Sequence, residues 1–265
     1  KTQLEAVVEH IADLSAKEAL QPQKLWLDSL RETIYHCEAD KRSGGWNGEG
    51  WEETDHWLKP ILGIVDNPYE QTQLPLMVDI GKEGSLVLFG APGTGKTTFL
   101  QSLIYALAMN YSPDDVNIYV MDFGGRTLGY FSDLPHVGGV VFSDEEEKIE
   151  KLLKLVTREL DNRKRLFSEF NVGNIQAYMQ SSGQKIPAIV IVIDNYSVFT
   201  ELYADDEPVI VSLSRDGGNY GINLVITSSS INSVKSKILQ NVRLMMTLQL
   251  NDKYDYTSVL GQTNG

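Results

Sequence analysis

Residues 89–100 read FGAPGTGKTTFL, and within them Gly90, Gly93, Gly95, Lys96 and Thr97 fit the pattern G-x-x-x-x-G-K-[ST]. A strand-like run, SLVLF, precedes the pattern. A helix whose core face is Phe99, Leu100, Leu103, Ile104, Leu107 and Ala108 follows it. That order is the structural context of a phosphate-binding loop. Glycines let successive backbone amides turn inward around phosphate oxygens, and the helix start adds its partial positive charge. Pro92, Thr94 and Thr98 complete the loop and the first helical turn. On this reading Lys96 reaches the β and γ phosphates of ATP, and the Thr97 hydroxyl ligates Mg²⁺.

Outward from the loop, short apolar runs alternate with helical ones: VNIYVMD, a long helix from Glu145, AIVIVID, a helix near Val209, INLVIT and RLMMTLQL. Such alternation predicts an α/β fold with a mostly parallel sheet covered by helices on both faces. Asp194 closes AIVIVID, where a carboxylate would hold the water shell of Mg²⁺. The next residue, Asn195, occupies the place of a water-activating base. An amide orients water but takes no proton at neutral pH, so slow hydrolysis is expected unless Glu201 or a neighbouring subunit substitutes. Asp122 ends VNIYVMD, a place that can face the nucleotide crevice or cap a turn. Thr227 and Ser228 end INLVIT, where a sensor of the γ phosphate or a serine-rich turn would sit. Arg126 and Arg215 are the arginines best placed to act on phosphate, including in trans. The helix EEEKIEKLLKLVTRELDNRKRLF is amphipathic, and its charges read as a solvated face rather than a nucleic-acid site.

At 265 residues and 42% hydrophobic the chain can bury a full-sized core. The expected division is 1–60, an N-terminal helix and linker packing on the core, and 61–265, the nucleotide-binding domain. Leu4, Val7, Val8, Ile11 and Leu14 recur at helical spacing. Residues 38–59 carry Trp46, Trp51 and Trp57 and read as a surface loop pinned by aromatic anchors, with a partner site as the alternative. Residues 61–75 read as a lead into the core. The net charge of −13 and a pI near 4.7 argue against a polyanionic partner. A lone cysteine, Cys37, fits a reducing compartment. No apolar run is long enough to span a bilayer. The chain begins without Met and stops soon after a strand-like run, the pattern of a piece of something larger.

LPHVGGVVFSDEEEKIEKLLKLVTRELDNRKRLFSEFNVGNIQAY (134–178) and GINLVITSSS (221–230) resemble the corresponding stretches of FtsK/SpoIIIE-type ATPases. VNIYVMDFGGRTLGYFSDLPHVGGVV, LPLMVDIGKEGSLVLFGAPGTGKTT and VIDNYSVFTEL look most like a later ATPase module of the EssC/EccC branch, the membrane-anchored motors of type VII secretion. KLWLDSL (24–30), with the helix ahead of it, resembles the linker before such a module. The resemblance implies a RecA-like P-loop NTPase core, hexameric assembly with neighbouring subunits and with other ATPase modules of the same chain, and export of small helical WXG100-type proteins. It also implies a cytoplasmic domain reaching the membrane only through its parent. It supports Lys96 and Thr97 on nucleotide and Mg²⁺ and Asp194 as the acidic strand-end residue. Asn195 departs from the family's acidic residue, Ser228 from its glutamine, and Gly218 from an arginine. These losses favour a secretion module over a DNA translocase. A degenerate structural or substrate-binding module without a nucleotide role is the third reading.

Overall fold

The computed structural model describes residues 2–18 and 26–261. In chain order these form α1 (Gln3–Lys17), α2 (His36–Ala39), β1 (Gly45–Trp46), β2 (Trp51–Glu52), β3 (Ile61–Asn67), β4 (Thr72–Met77) and α3 (Ile80–Glu83). There follow β5 (Leu86–Phe89), α4 (Lys96–Asn110), β6 (Val116–Asp122), β7 (Val137–Phe142), α5 (Glu146–Glu169) and α6 (Ile175–Ser182). The last elements are β8 (Ala188–Asp194), α7 (Tyr196–Leu202), α8 (Glu207–Asp216), β9 (Ile222–Ser228), α9 (Ser236–Leu239), β10 (Leu244–Thr247) and α10 (Lys253–Leu260).

The apolar runs become one six-stranded sheet of order β10-β5-β9-β8-β6-β7, with every pairing parallel. All seven residues of β8 are buried, because a parallel strand covered on both faces has no side for water. Its period of two divides the core. Ile189, Ile191 and Ile193 pack with Ile149, Leu152 and Val156 of α5, while Val190 and Val192 pack with Leu100, Leu103 and Leu107 of α4. Asp194 and Phe89 therefore end their strands at the same, carboxyl edge, with β9 between them.

Two expectations need correction, and the sheet has one strand more than the apolar periodicity shows. Residues 61–75, expected as a lead-in, instead open an antiparallel hairpin of β3 on β4. Pro75 sits inside the outer strand, where a missing N–H is tolerated. The segment VGGVVF is also a strand, β7, at the sheet edge; its glycine pair hides the β signal, and a Cβ on Gly138 would lie 2.5 Å from the Tyr119 ring. Finally, the charges of α5 are not all solvated. Arg163 is 4% exposed and donates to the carbonyls of Tyr220 (2.8 Å) and Pro187 (2.9 Å) and to Glu159 (2.7 Å). It ties α5 to the starts of β8 and β9.

At the amino end, α1 is closed by a capping box of Thr2 and Glu5, and its apolar face, Leu4 to Leu14, is exposed. Trp51 anchors the loop after α2: its Nε1–H donates to the Ala108 carbonyl on α4 at 2.8 Å, and its ring meets Trp46 and buried His136. Trp57 packs partly buried against the core. Beside the hairpin, the Leu27 amide donates to Gln71 and the Gln73 side chain to the Asp28 carbonyl. Lys24 and Leu25 of the linker, and residues 262–265, lie outside the described residues.

Candidate nucleotide site

The loop between β5 and α4 is shaped by glycine where the backbone requires it. Gly93 and Gly95 have φ of 80° and 102°, a region L side chains rarely adopt, and Gly95 is the N-cap of α4. Gly90 is needed for space, since a Cβ there would lie 2.6 Å from Thr94 Oγ1. Thr94 Oγ1 donates to the Ala91 carbonyl at 2.8 Å and braces the loop. Lys96 folds back over it, Nζ donating to the carbonyls of Gly90 (2.7 Å) and Ala91 (3.1 Å). Burial lowers the pKa of this ammonium, and the Asp194 charge partly offsets the effect. A phosphate at this loop would compete with those two neutral carbonyls and bring a full negative charge, for which the lysine could exchange partners. Pro92 and Thr98 flank this turn.

Asp194 is 2% exposed and engaged at both oxygens. Oδ2 accepts from Thr97 Oγ1 at 2.8 Å, and Oδ1 from Thr227 Oγ1 at 2.6 Å. Thr227 belongs to β9, the strand inserted between the phosphate-loop strand and β8, so one hydroxyl bridges two elements. The same hydroxyl oxygen accepts the Asn195 amide at 2.9 Å. Asn195 has φ 61° and ψ 62°, a left-handed conformation in which asparagine is the commonest non-glycine residue together with aspartate. Its side chain makes a long 3.4 Å contact with the Phe123 carbonyl. The residue type at 195 thus has a backbone reason beside any chemical one.

The other sequence candidates separate. Asp122 is 1% exposed, and its carboxylate accepts the amides of Gly124 (2.9 Å) and Leu128 (3.1 Å), so it shapes the loop after β6. That loop passes close to the site: a Cβ on Gly124 would lie 2.8 Å from Asp194 Oδ2. Gly124 was not among the sequence candidates, and no motif would have flagged it. Ser228 is fully buried; its carbonyl accepts the Gly90 amide, and its hydroxyl joins a cluster with Ser197 and Ser233. Arg126 pairs with Asp144 and lies over the Phe142 ring. Arg215 ends α8 at the opposite, amino-terminal edge of the sheet and grips Asp216 with two bonds. It does not meet the phosphate loop of its own chain.

Thr97 and Asp194 present hard oxygen donors side by side at the helix start, a donor set that suits Mg²⁺. Such an ion would supply positive charge against the phosphates of a bound nucleotide. Thr97 and Asp194 would hold that ion, and Lys96 and the loop amides would hold the phosphates.

The model of the FtsK/SpoIIIE family matches residues 51–262. The type VII secretion system protein EssC of Staphylococcus aureus is 32% identical over 271 aligned residues, which take in 99% of this chain and 18% of that protein. The solved cytoplasmic domain of the Thermomonospora curvata type VII secretion ATPase EccC superposes with a TM-score of 0.80 at 29% identity, covering 88% of this chain and 28% of that one. A structure of ATPases 2 and 3 of the same EccC, in complex with a signal sequence peptide, gives 0.74 at 30% identity, over 80% of this chain and 40% of that one. Among the described residues no helix is long and apolar enough to cross a membrane.

Proposed function

The chain belongs to the FtsK/SpoIIIE family, and on that premise we propose that it is an ATP-binding module of a type VII secretion motor, weakly hydrolysing or non-hydrolysing in isolation. The observation that carries the reading is the Thr97–Asp194 pair set against an intact phosphate loop. Gly90 to Thr98 and Lys96 bind the nucleotide, and Thr97 and Asp194, the latter through metal-bound water, hold Mg²⁺. Asn195 orients water without accepting its proton, which keeps turnover low. Nucleotide occupancy then acts on interfaces with other ATPase modules of the parent chain and with neighbouring subunits of a hexamer. Arg215, remote from its own loop, serves such a neighbour. The parent, anchored in the cell membrane with this module in the cytoplasm, exports WXG100-type proteins. The likeness to EssC and EccC supports this reading, and the net charge of −13 opposes a DNA track.

Phosphate release measured on the chain alone, then with duplex DNA, then with a WXG100-type protein, tests it. Near-background release without a DNA response is expected. DNA-stimulated turnover would contradict the secretion reading. Brisk release by the lone chain would refute the role given to Asn195.

A further inference from the structure

None of the residues of α1 is buried, and the apolar stripe along it is open to water, from 46% exposed at Leu14 to 73% at Leu4, with Val7, Val8 and Ile11 between. A helix of 15 residues is marginal in water unless it buries such a stripe. The capping box of Thr2 and Glu5 fixes its start and leaves the stripe uncovered.

Spacing and charge name what covers it. Leu4, Val7, Ile11 and Leu14 step by three, four and three residues, the a and d positions of two heptads, with Val8 at e. That seam is narrower than the stripe of a helix lying on a globular core, and it fits the side chains of another helix with the same repeat. Among the described residues no other helix exposes more than two large apolar side chains, so the matching seam within this sequence is α1 itself. The charges permit the self-pair. Glu5, Glu9 and Asp13 fall at b, f and c, opposite the stripe, while the flanking e and g positions, Gln3, Val8, His10, Ser15 and Lys17, hold no carboxylate. In a chain of net charge −13, two copies therefore meet along a face free of like acids. A membrane surface fits less well, because a helix lying on anionic lipid carries Lys and Arg on its polar face, and here that face is acidic.

We infer that α1 is a self-association element, pairing through Leu4, Val7, Ile11 and Leu14 with α1 of a second copy of this chain. The surface is separate from the phosphate loop and does not depend on the nucleotide reading.

Fluorescence-detected sedimentation velocity of the whole chain tests it, with fluorescein on the exposed thiol of Cys37. The stripe removes roughly 1,000 Å² from water across two copies, the size of a weak interface, so a labelled trace of wild type should become dimeric as unlabelled wild type is raised through about 10–100 µM. Ile11→Glu, in the middle of the seam, should remove the dimer, and Ile11→Ala should weaken it by at least about tenfold. Asp13→Asn, on the opposite face, should leave it unchanged. Because α1 is unburied, all three variants keep the wild-type melting temperature of the core. Unlabelled Ile11→Glu should also fail to dimerise labelled wild type. If it succeeds, α1 docks on another surface of the second copy and the proposal falls. It falls too if the wild type stays monomeric throughout that range, or if the dimer survives Ile11→Glu. Transfer of the chain from dimer to vesicles of phosphatidylcholine and phosphatidylserine would overturn it in favour of a membrane surface.

Discussion

Replacement of Asn195 separates backbone conformation from chemistry at the end of β8. With φ 61° and ψ 62°, residue 195 stands where an ordinary L side chain pays about 1–2 kcal/mol and where asparagine, through its short polar side chain, is better tolerated. Asn195→Ala should therefore cost about 1 kcal/mol. In a chain of this size that lowers the melting temperature by about 2–4 °C. Asn195→Gly removes the same side chain but accepts a positive φ freely, so it should melt close to wild type. The 3.4 Å contact to the Phe123 carbonyl is too long to add much. The assay is thermal unfolding of the three proteins without nucleotide, followed by Mg·ATP titration of each. Both variants should keep nucleotide affinity, because neither touches Lys96, Thr97 or Asp194. If Ala and Gly melt together, left-handed strain does not explain the residue. If both lose nucleotide, Asn195 binds ligand directly.

Gly124→Ala places a methyl 2.8 Å from Asp194 Oδ2, an oxygen held by Thr97; a destabilisation of about 1–3 kcal/mol and a loss of Mg·ATP affinity are expected by thermal unfolding and calorimetry. Thr227→Val keeps the shape but leaves Asp194 Oδ1 and the Asn195 amide without their shared hydroxyl; it should cost about 1–3 kcal/mol in unfolding experiments. Burial lowers the pKa of His136 below the usual 6.5. The unfolded chain then binds the proton first, so full stability above pH 6.5 is progressively lost as pH falls towards the folded value. His136→Asn should flatten that dependence in melting temperatures compared between pH 7.5 and 5.5, while lowering stability overall.

The phosphate loop and its flanking strand and helix were legible because the motif fixes backbone shape and the neighbouring runs have unambiguous periods. Strand β8 was legible for the same reason: seven apolar or terminal residues in a row leave no solvent face. The hairpin was not, since β4 is mostly exposed and carries proline. Neither was edge strand β7, whose glycines make room for Tyr119. Arg163 looked like one charge among many on α5, yet the carbonyls that bury it belong to residues 24 and 57 positions away. Thr227 was legible as a polar strand end, but its bridge to Asp194, like the approach of Gly124, exists only in the tertiary fold. Asp122 sat at the correct strand end, but its carboxylate turns to the amides of its own loop.

The most direct test is calorimetric titration of Mg·ATP into the wild-type chain and Lys96→Ala. The account predicts saturable binding to the wild type and its loss in the variant, whose fold survives because the Lys96 ammonium, among the described residues, hydrogen-bonds just two loop carbonyls. Absence of binding to either protein, or equal binding to both, would contradict it.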